Sequence, residues 1–236
     1  SVTLRNQTHY SETDRFAVIT SPGNVSPTNT VARSRQVNER INEIFSNQTT
    51  STSEFSTGPL DHSLVGGLEY LWEEQFTPTV AGAGTVAPAD AFHPNPHDPV
   101  SGYNPGRTGA STTGQTTTFS LFAFDTIDLS RRWKLNGGLR WDTYQTDFKS
   151  VSTNGAPAAG SPIEDSGDLL SWKSGVAFKP KENGTVYFSV GSTLTPPGSA
   201  NFKLSTNANN ANNTAAAHFT TAAPSHASTT TSATHA

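Results

Sequence analysis

The chain has no cysteine and no methionine in its 236 residues. The first absence excludes disulfides, thiolate metal sites and a cysteine nucleophile. The second, in a chain that opens directly on a strand-like segment (Val2–Thr20) with no signal peptide ahead of it, reads as a processed or excised piece of a longer protein. Charge is also scarce: Asp, Glu, Lys and Arg make up 14% of the residues and the net charge is -4. That leaves no basic surface of the kind that binds nucleic acid. Only 33% of the chain is hydrophobic, less than a soluble globular domain usually carries. No apolar run approaches the roughly 18–20 residues of a membrane helix. If this chain meets a bilayer, it crosses by strands.

What is present is alternation. Leu64, Gly66, Leu68, Tyr70 and Trp72 occupy every second position, with Val65, Gly67, Glu69, Leu71 and Glu73 between them. Leu135, Gly137, Leu139 and Trp141 repeat the pattern against Asn136, Gly138, Arg140 and Asp142, and Trp172–Phe178 repeats it again. Strand side chains alternate across the sheet with period two, so each segment has one oily and one wet face. A soluble sandwich shows the same alternation. The connections argue for a membrane barrel: very short turns alternate with long, polar, Gly/Pro-rich loops, the asymmetry of transmembrane β-barrels. A barrel also needs only a thin apolar band, which fits the low hydrophobic content.

Along the chain, strands are expected over Val2–Thr20, Gln36–Thr57, Leu64–Glu74, Thr116–Leu129, Lys134–Ser150, Leu169–Lys179 and Thr185–Leu194, about seven in all. Val37–Phe45 also fits a helical spacing, so both readings stay open there. Gly58–Asp61, Ser130–Trp133 and Pro180–Gly184 are tight reversals. Ser21–Asn29, Gln75–Gln115 and Val151–Gly167 read as loops, the second holding six prolines and standing out for its length. Residues 205–236 contain no charged side chain and neither period. Such a segment buries too little apolar surface to offset its ordering entropy, so a disordered tail is expected. The domain reading is therefore 1–204 as a partial β-barrel and 205–236 as a low-complexity tail.

Few residues invite a chemical role. His93, His97 and Asp98 are the nearest approach to a metal cluster, but the prolines between the histidines forbid the helix that would align them. Glu69, Glu73, Asp125 and Asp142 offer carboxylates for acid–base work, yet a hydrated lumen accounts for them as well. There is no G-x-S-x-G, H-E-x-x-H or P-loop. Gly66-Gly67 and Gly137-Gly138 read as strand glycines that permit close packing. Trp72, Trp141 and Trp172 share faces with aliphatic residues, the arrangement of a lipid-interface girdle rather than of a ligand stack. No catalytic residue, resident metal or cofactor is expected.

The words of the strong strands resemble those of TonB-dependent siderophore receptors, with the catecholate and ferrichrome-type iron receptors the nearest look. "SNQTT" (Ser46–Thr50), "HSLVGGLEY" (His62–Tyr70), "SLFAFDTIDLSRRWKLNGGLRWDTYQTDF" (Ser120–Phe148) and "LLSWKSGVAFKPKENGTVYFSVG" (Leu169–Gly191) carry it. Phe124-Asp125-Thr126-Ile127 running through a tight turn to Trp133–Asp142 is similar to the family's strand–turn–"W-x-L-x-G-G-L-R-W-D" segment. Trp172–Pro180 with Asn183–Tyr187, then Thr195–Gly198 followed by Asn201, continue the likeness, which runs from Val2 to about Asn213.

The resemblance implies an all-β, antiparallel, up-and-down transmembrane barrel with long extracellular loops, of which this chain is a part. The family's N-terminal plug, its closing strands and its terminal aromatic residue have no counterpart here, and after Asn213 the words stop matching. The implied function is uptake of a ferric siderophore across the outer membrane of a Gram-negative bacterium, a receptor and transporter and not an enzyme. Its implied partners are the ferric siderophore as transported ligand, outer-membrane lipid, and the TonB energy complex acting through the plug. Ligand-facing parts are expected in Gln75–Gln115 and Val151–Gly167. Tyr103 and Arg107 are the expected contacts with an anionic, aromatic ferric chelate, as π-face and guanidinium. The alternative is a soluble, secreted β-rich module that binds carbohydrate or protein. In that case the apolar residues would be sealed between two sheets.

Overall fold

In the computed structural model, residues 1–181 and 184–196 are described in full, and 217–223 and 228–229 as backbone. All the regular structure among them is β. The strands are β1 (Val2–Val25), β2 (Thr30–Thr57), β3 (Leu60–Thr85), β4 (Ala89–Asp90), β5 (Ser101–Asp128), β6 (Trp133–Val151), β7 (Ile163–Lys181), β8 (Gly184–Thr195), β9 (Ala217–Ala223) and β10 (Ser228–Thr229). The seven long ones pair antiparallel with their chain neighbours in the order β1-β2-β3-β5-β6-β7-β8, forming one curved half-barrel. The short β4 prolongs the β3 side of β2, and β9 and β10 both pair with β8. Of the expected tail, 217–223 and 228–229 are therefore strand; the rest of 205–236 lies outside the described residues.

One open reading is decided and two loops are corrected. Val37–Phe45 is strand, as expected for Gln36–Thr57, and not the helical alternative: Val37 pairs with Val18 on one side and Ile41 with Phe76 on the other. A two-sided ladder satisfies both edges of the backbone, which a surface helix there would leave unpaired. The loop read over Gln75–Gln115 is only 86–100, because β3 runs on to Thr85 and β5 begins at Ser101. Pro78, Pro105 and several of the glycines that marked it as irregular sit at bulges. The register slips between Pro78 and Val80 and again between Ala81 and Ala83. Gly82, Gly84, Gly102 and Gly109 hold positive φ beside these slips. A bulge frees a ladder position for proline and supplies the left-handed turn glycine takes best, so the hairpin bends without ending. Similarly, the loop read over Val151–Gly167 shrinks to 152–162.

The register assigns the faces. Leu68 lies opposite Leu121, Leu121 opposite Trp141 and Trp141 opposite Leu170. Tyr70, Phe119, Leu139, Trp172 and Val176 fall on the same face. The large apolar side chains there are open to the surroundings, Leu139 at 57% and Leu170 at 54%. The other face is crowded: Ser120, Thr116, Thr146, Asp142 and Leu169 are all buried there, as expected where a sheet curves inward. An oily convex face and a polar concave face are the arrangement of a membrane barrel wall. Among the described residues all strands belong to one sheet and none covers the oily face, so the half-barrel and not the sealed sandwich is the fold. A membrane-crossing strand needs about 9–11 residues, whereas β2 and β5 have 28 each. Their upper halves therefore stand well beyond the apolar band, toward the long loops.

Two rings explain the paired glycines. Phe122 and Phe124 point to the concave side and lie over Gly67 and Gly138. A Cβ on Gly67 would meet Phe122 Cζ at 2.7 Å, and one on Gly138 would meet Phe124 Cδ1 at 1.9 Å. Gly137, one residue along and facing out, has nothing nearer than 3.7 Å. Gly138→Ala should thus destabilise the sheet by about 1–3 kcal/mol through overpacking. Gly137→Ala should stay within about 0.5 kcal/mol of the parent. Urea unfolding in detergent reads both, and equal costs would refute the ring-over-glycine account.

Candidate functional site

The concave wall is organised by one cation. Arg140 on β6 reaches three groups, Glu69 Oε2 at 2.8 Å and Ser120 Oγ at 2.7 Å on other strands and Asp142 Oδ1 at 2.8 Å on its own. Ser120 is fully buried and Asp142 nearly so. The strand pairing brings them together, since Ser120 lies between Glu69 on β3 and Asp142 on β6. The guanidinium also sits 5.9 Å from the Phe122 ring, and the Lys173 ammonium 4.6 Å from the Phe124 ring. A cavity of about 200 Å³ lies among Phe124, Arg140, Asp142, Ser171 and Lys173. Higher on the same face, Tyr144 donates its hydroxyl hydrogen to Asp165 at 2.7 Å.

This arrangement pairs opposite charges across the wall. Glu69 and Asp142 share one guanidinium, and Asp125 is on the opposite, convex face, 2.7 Å from His62 Nδ1. Of the carboxylates read as acid–base candidates, Glu69 and Asp142 are thus paired with Arg140 and Asp125 with His62, while Glu73 shares the concave face with no ion pair among the described residues. His93, His97 and Asp98 do not converge either. Asp98 is held by Arg33 at 2.6 Å and by Asn95 at 3.0 Å, while the His93 side chain is open to solvent. Among the described residues no group of three His, Asp or Glu side chains is set for a metal ion. Trp141 and Trp172 face outward and are well exposed, with Trp72 on the same face by register, so none of the three lines the lumen.

Tyr103 and Arg107 lie on the upper part of β5, in strand rather than in loop. Arg107 forks onto Glu39, its Nε 3.1 and 3.2 Å from the two carboxylate oxygens and its Nη2 closer still. Its guanidinium stands 6.0 Å from the Phe76 ring. Arg35 stacks over Tyr103 at 5.6 Å while donating to Ala83 O at 2.8 Å. These partners carry the face of Ile41 and Phe76, the convex one. The Arg107 hydrogen bond holds the Glu39 carboxyl below its usual range. At the loop end, Asp90 is likewise held down, by the backbone N–H groups of Phe92 and His93 at 2.8 Å each.

Sequence reasoning missed Phe122, Phe124 and the Arg140 hub. Its one available signal was the unbroken apolar run Leu121–Phe124, which departs from alternation and marks a strand with oily residues on both faces.

Residues 1–223 match the family described as TonB dependent receptor-like, beta-barrel. The catecholate siderophore receptor Fiu of Escherichia coli (strain K12) is 34% identical over 245 aligned residues, covering 91% of this chain and 31% of the receptor. The crystal structure of the ferric-catecholate import receptor Fiu in its closed form superposes with a TM-score of 0.79 at 30% identity, over 90% of this chain and 34% of that one. Its open form gives 0.73, over 83% and 33%. The chain spans about a third of the length of the curated relatives it matches.

Two outcomes follow from the geometry. Arg140→Leu strands two carboxylates around a buried serine and should cost about 1–3 kcal/mol. The triple change E69Q/R140L/D142N should recover much of that in the same urea titration; no recovery would show that Arg140 acts by packing alone. For Asp90, a depressed folded-state pKa means the cap is intact above the ordinary carboxylate range and is lost as pH falls through the folded value. Protection of the Phe92 and His93 amides, normalised to intrinsic exchange, should therefore hold from neutral pH to mildly acid and collapse only below the usual Asp range. In Asp90→Ala it should be absent at every pH.

Proposed function

The chain belongs to the TonB-dependent receptor-like β-barrel family, and from that premise we propose that it forms part of the wall of an outer-membrane receptor that imports a ferric catecholate. The observation that carries the reading is the division of the sheet: an open apolar convex face backed by a concave face of Arg140, Glu69, Asp142 and Lys173, in a chain 34% identical to a catecholate siderophore receptor. The iron chelate is cargo, and the chain itself does no covalent chemistry. Energy would enter from the TonB complex through a plug supplied by the whole receptor.

On the concave side, the Lys173 ammonium over Phe124 offers a cation beside an aromatic surface, the pairing an anionic catecholate complex favours. At the long-loop rim, beyond the apolar band and on its convex side, Tyr103 and Arg107 are the proposed contacts for a chelate arriving from outside. Arg107 can meet a ligand only by exchanging Glu39, and Tyr103 only by sharing its ring with Arg35.

Binding is tested on the full receptor in detergent, by tryptophan quenching with a ferric tris-catecholate and a ferric hydroxamate. The catecholate should bind at least about ten-fold more tightly, a difference of about 1.4 kcal/mol. Equal affinity would remove the catecholate assignment. Tyr103→Ala and Arg107→Ala should each weaken binding about two- to five-fold, the size of an exposed cation–π contact. Glu39→Gln, which frees Arg107, should tighten binding; no change in all three variants would discard the rim contacts.

The 236-residue chain alone should show no saturable submicromolar binding by calorimetric titration. In the described sheet β1 has a neighbour on one side only, and an open ladder edge is not tolerated in hydrocarbon. Tight binding by the isolated chain would mean that this third of the wall makes the site unaided.

A further inference from the structure

At the short-turn end of the sheet, two turns meet. The connection after β5 ends in Arg131 and Arg132, and β7 ends in Lys179, Pro180 and Lys181. Lys179 N donates to Arg132 O at 2.8 Å, tying the turns together. These five residues bound a cavity of about 420 Å³. Four of them are cations, all exposed, and among the described residues none forms an ion pair. The nearby Asp128 is taken by Lys134 at 2.8 Å. By sequence, these two turns hold a single carboxylate, Glu182, against the four positive charges. This concentration occurs in a chain whose net charge is -4.

Its position gives it meaning. The first residue above one turn is Trp133 and the last outward residue above the other is Phe178, stacked with ring centroids 4.4 Å apart. Val176, Val186 and Phe188 continue the convex apolar face directly above. Aromatic pairs of this kind mark the level where hydrocarbon gives way to headgroups. A cavity lined by Lys and Arg just beyond that level is at the depth of lipid phosphates. Guanidinium and ammonium groups there have the charge and the donors to hold phosphate oxygens.

We propose that this cavity is a binding site for the phosphate headgroup of an anionic phospholipid of the leaflet at the short-turn side, with the acyl chains lying on the apolar face above Trp133 and Phe178. A headgroup carrying one or two phosphodiesters and no amine fits best, since an ethanolamine or choline cation would be repelled. The proposal rests on the convex face being the lipid face, and it is independent of the siderophore.

Native mass spectrometry of the full receptor, released from nanodiscs, tests it. The nanodiscs contain equal parts of phosphatidylglycerol, cardiolipin and phosphatidylethanolamine. The expected result is retention of the two anionic lipids at least ten-fold above phosphatidylethanolamine. R131Q/R132Q and K179Q/K181Q should each reduce that retention several-fold, and the four changes together should abolish the preference. R15Q/R40Q, a cross-strand pair in the middle of β1 and β2 and away from the short turns, removes as much charge as either double change and should leave it intact. Heat-modifiable migration confirms that each variant is folded, and unchanged ferric-catecholate binding separates this result from any failure of the transport reading. Equal retention of all three lipids, equal loss in R15Q/R40Q, or displacement of the lipid by millimolar inorganic phosphate would overturn the assignment.

Discussion

Every other feature of this chain depends on the need to pair the backbone. A strand crossing hydrocarbon cannot leave N–H or C=O groups to water that is not there, so each must find a neighbouring strand. The ladders from β1 to β8 meet that need with continuous antiparallel pairing, register unbroken through the apolar band from Leu64–Asp125 to Tyr70–Phe119. Continuous register in turn fixes which side chains face lipid, because a slip of one residue would send Leu68 inward and Glu69 outward. Slips occur outside the band, at Pro22/Val25, Pro78/Val80 and Ala81/Ala83 on the long-loop side and at Phe178/Lys181 beside a short turn, where water can satisfy what the bulge leaves unpaired.

Charge is sorted by the same rule. Arg140 is enclosed by Glu69, Asp142 and Ser120 on the concave side, where it stitches β3, β5 and β6 together across their side chains. Arg107 and Arg33 make comparable ties at the long-loop end, to Glu39 and Asp98. Arg131, Arg132, Lys179 and Lys181 differ in making no ion pair among the described residues, and they gather at the headgroup level of the other end. Arg140, Arg107 and Arg33 thus have carboxylates close by, while these four cations stand together where an anion from outside the chain can reach them.

The strands within the apolar band were legible because both requirements act on the same residues. Lipid selects apolar side chains at every second position, and the lumen selects polar ones between, so period two stands out from Leu64 to Trp72 and from Leu135 to Trp141. Above the band only the ladder is required, and the composition turns polar on both faces. There Pro78, Pro105, Gly82 and Gly109 read as loop although they belong to bulged strand. Val37–Phe45 was ambiguous for the same reason: Val37 and Ile41 sit four apart, which suits a helix, and also two steps of two apart, which suits a strand. Only the partners Val18 and Phe76 distinguish them.

By itself the sequence determined the all-β class, the alternation of short and long connections, the face on which Leu139, Trp141 and Trp172 lie, and the family words that the comparison with known receptors bears out. These are local properties, written in spacing along one strand. What faces what across strands was left to the tertiary structure. Arg140 and Glu69 are 71 positions apart, and nothing local says that two registers bring them to 2.8 Å. The same holds for Phe124 over Gly138, for Arg107 against Glu39, and for the two turns whose cations meet below Trp133 and Phe178. Register is set by the cooperative fit of a whole ladder, so these pairings exist only once the sheet does.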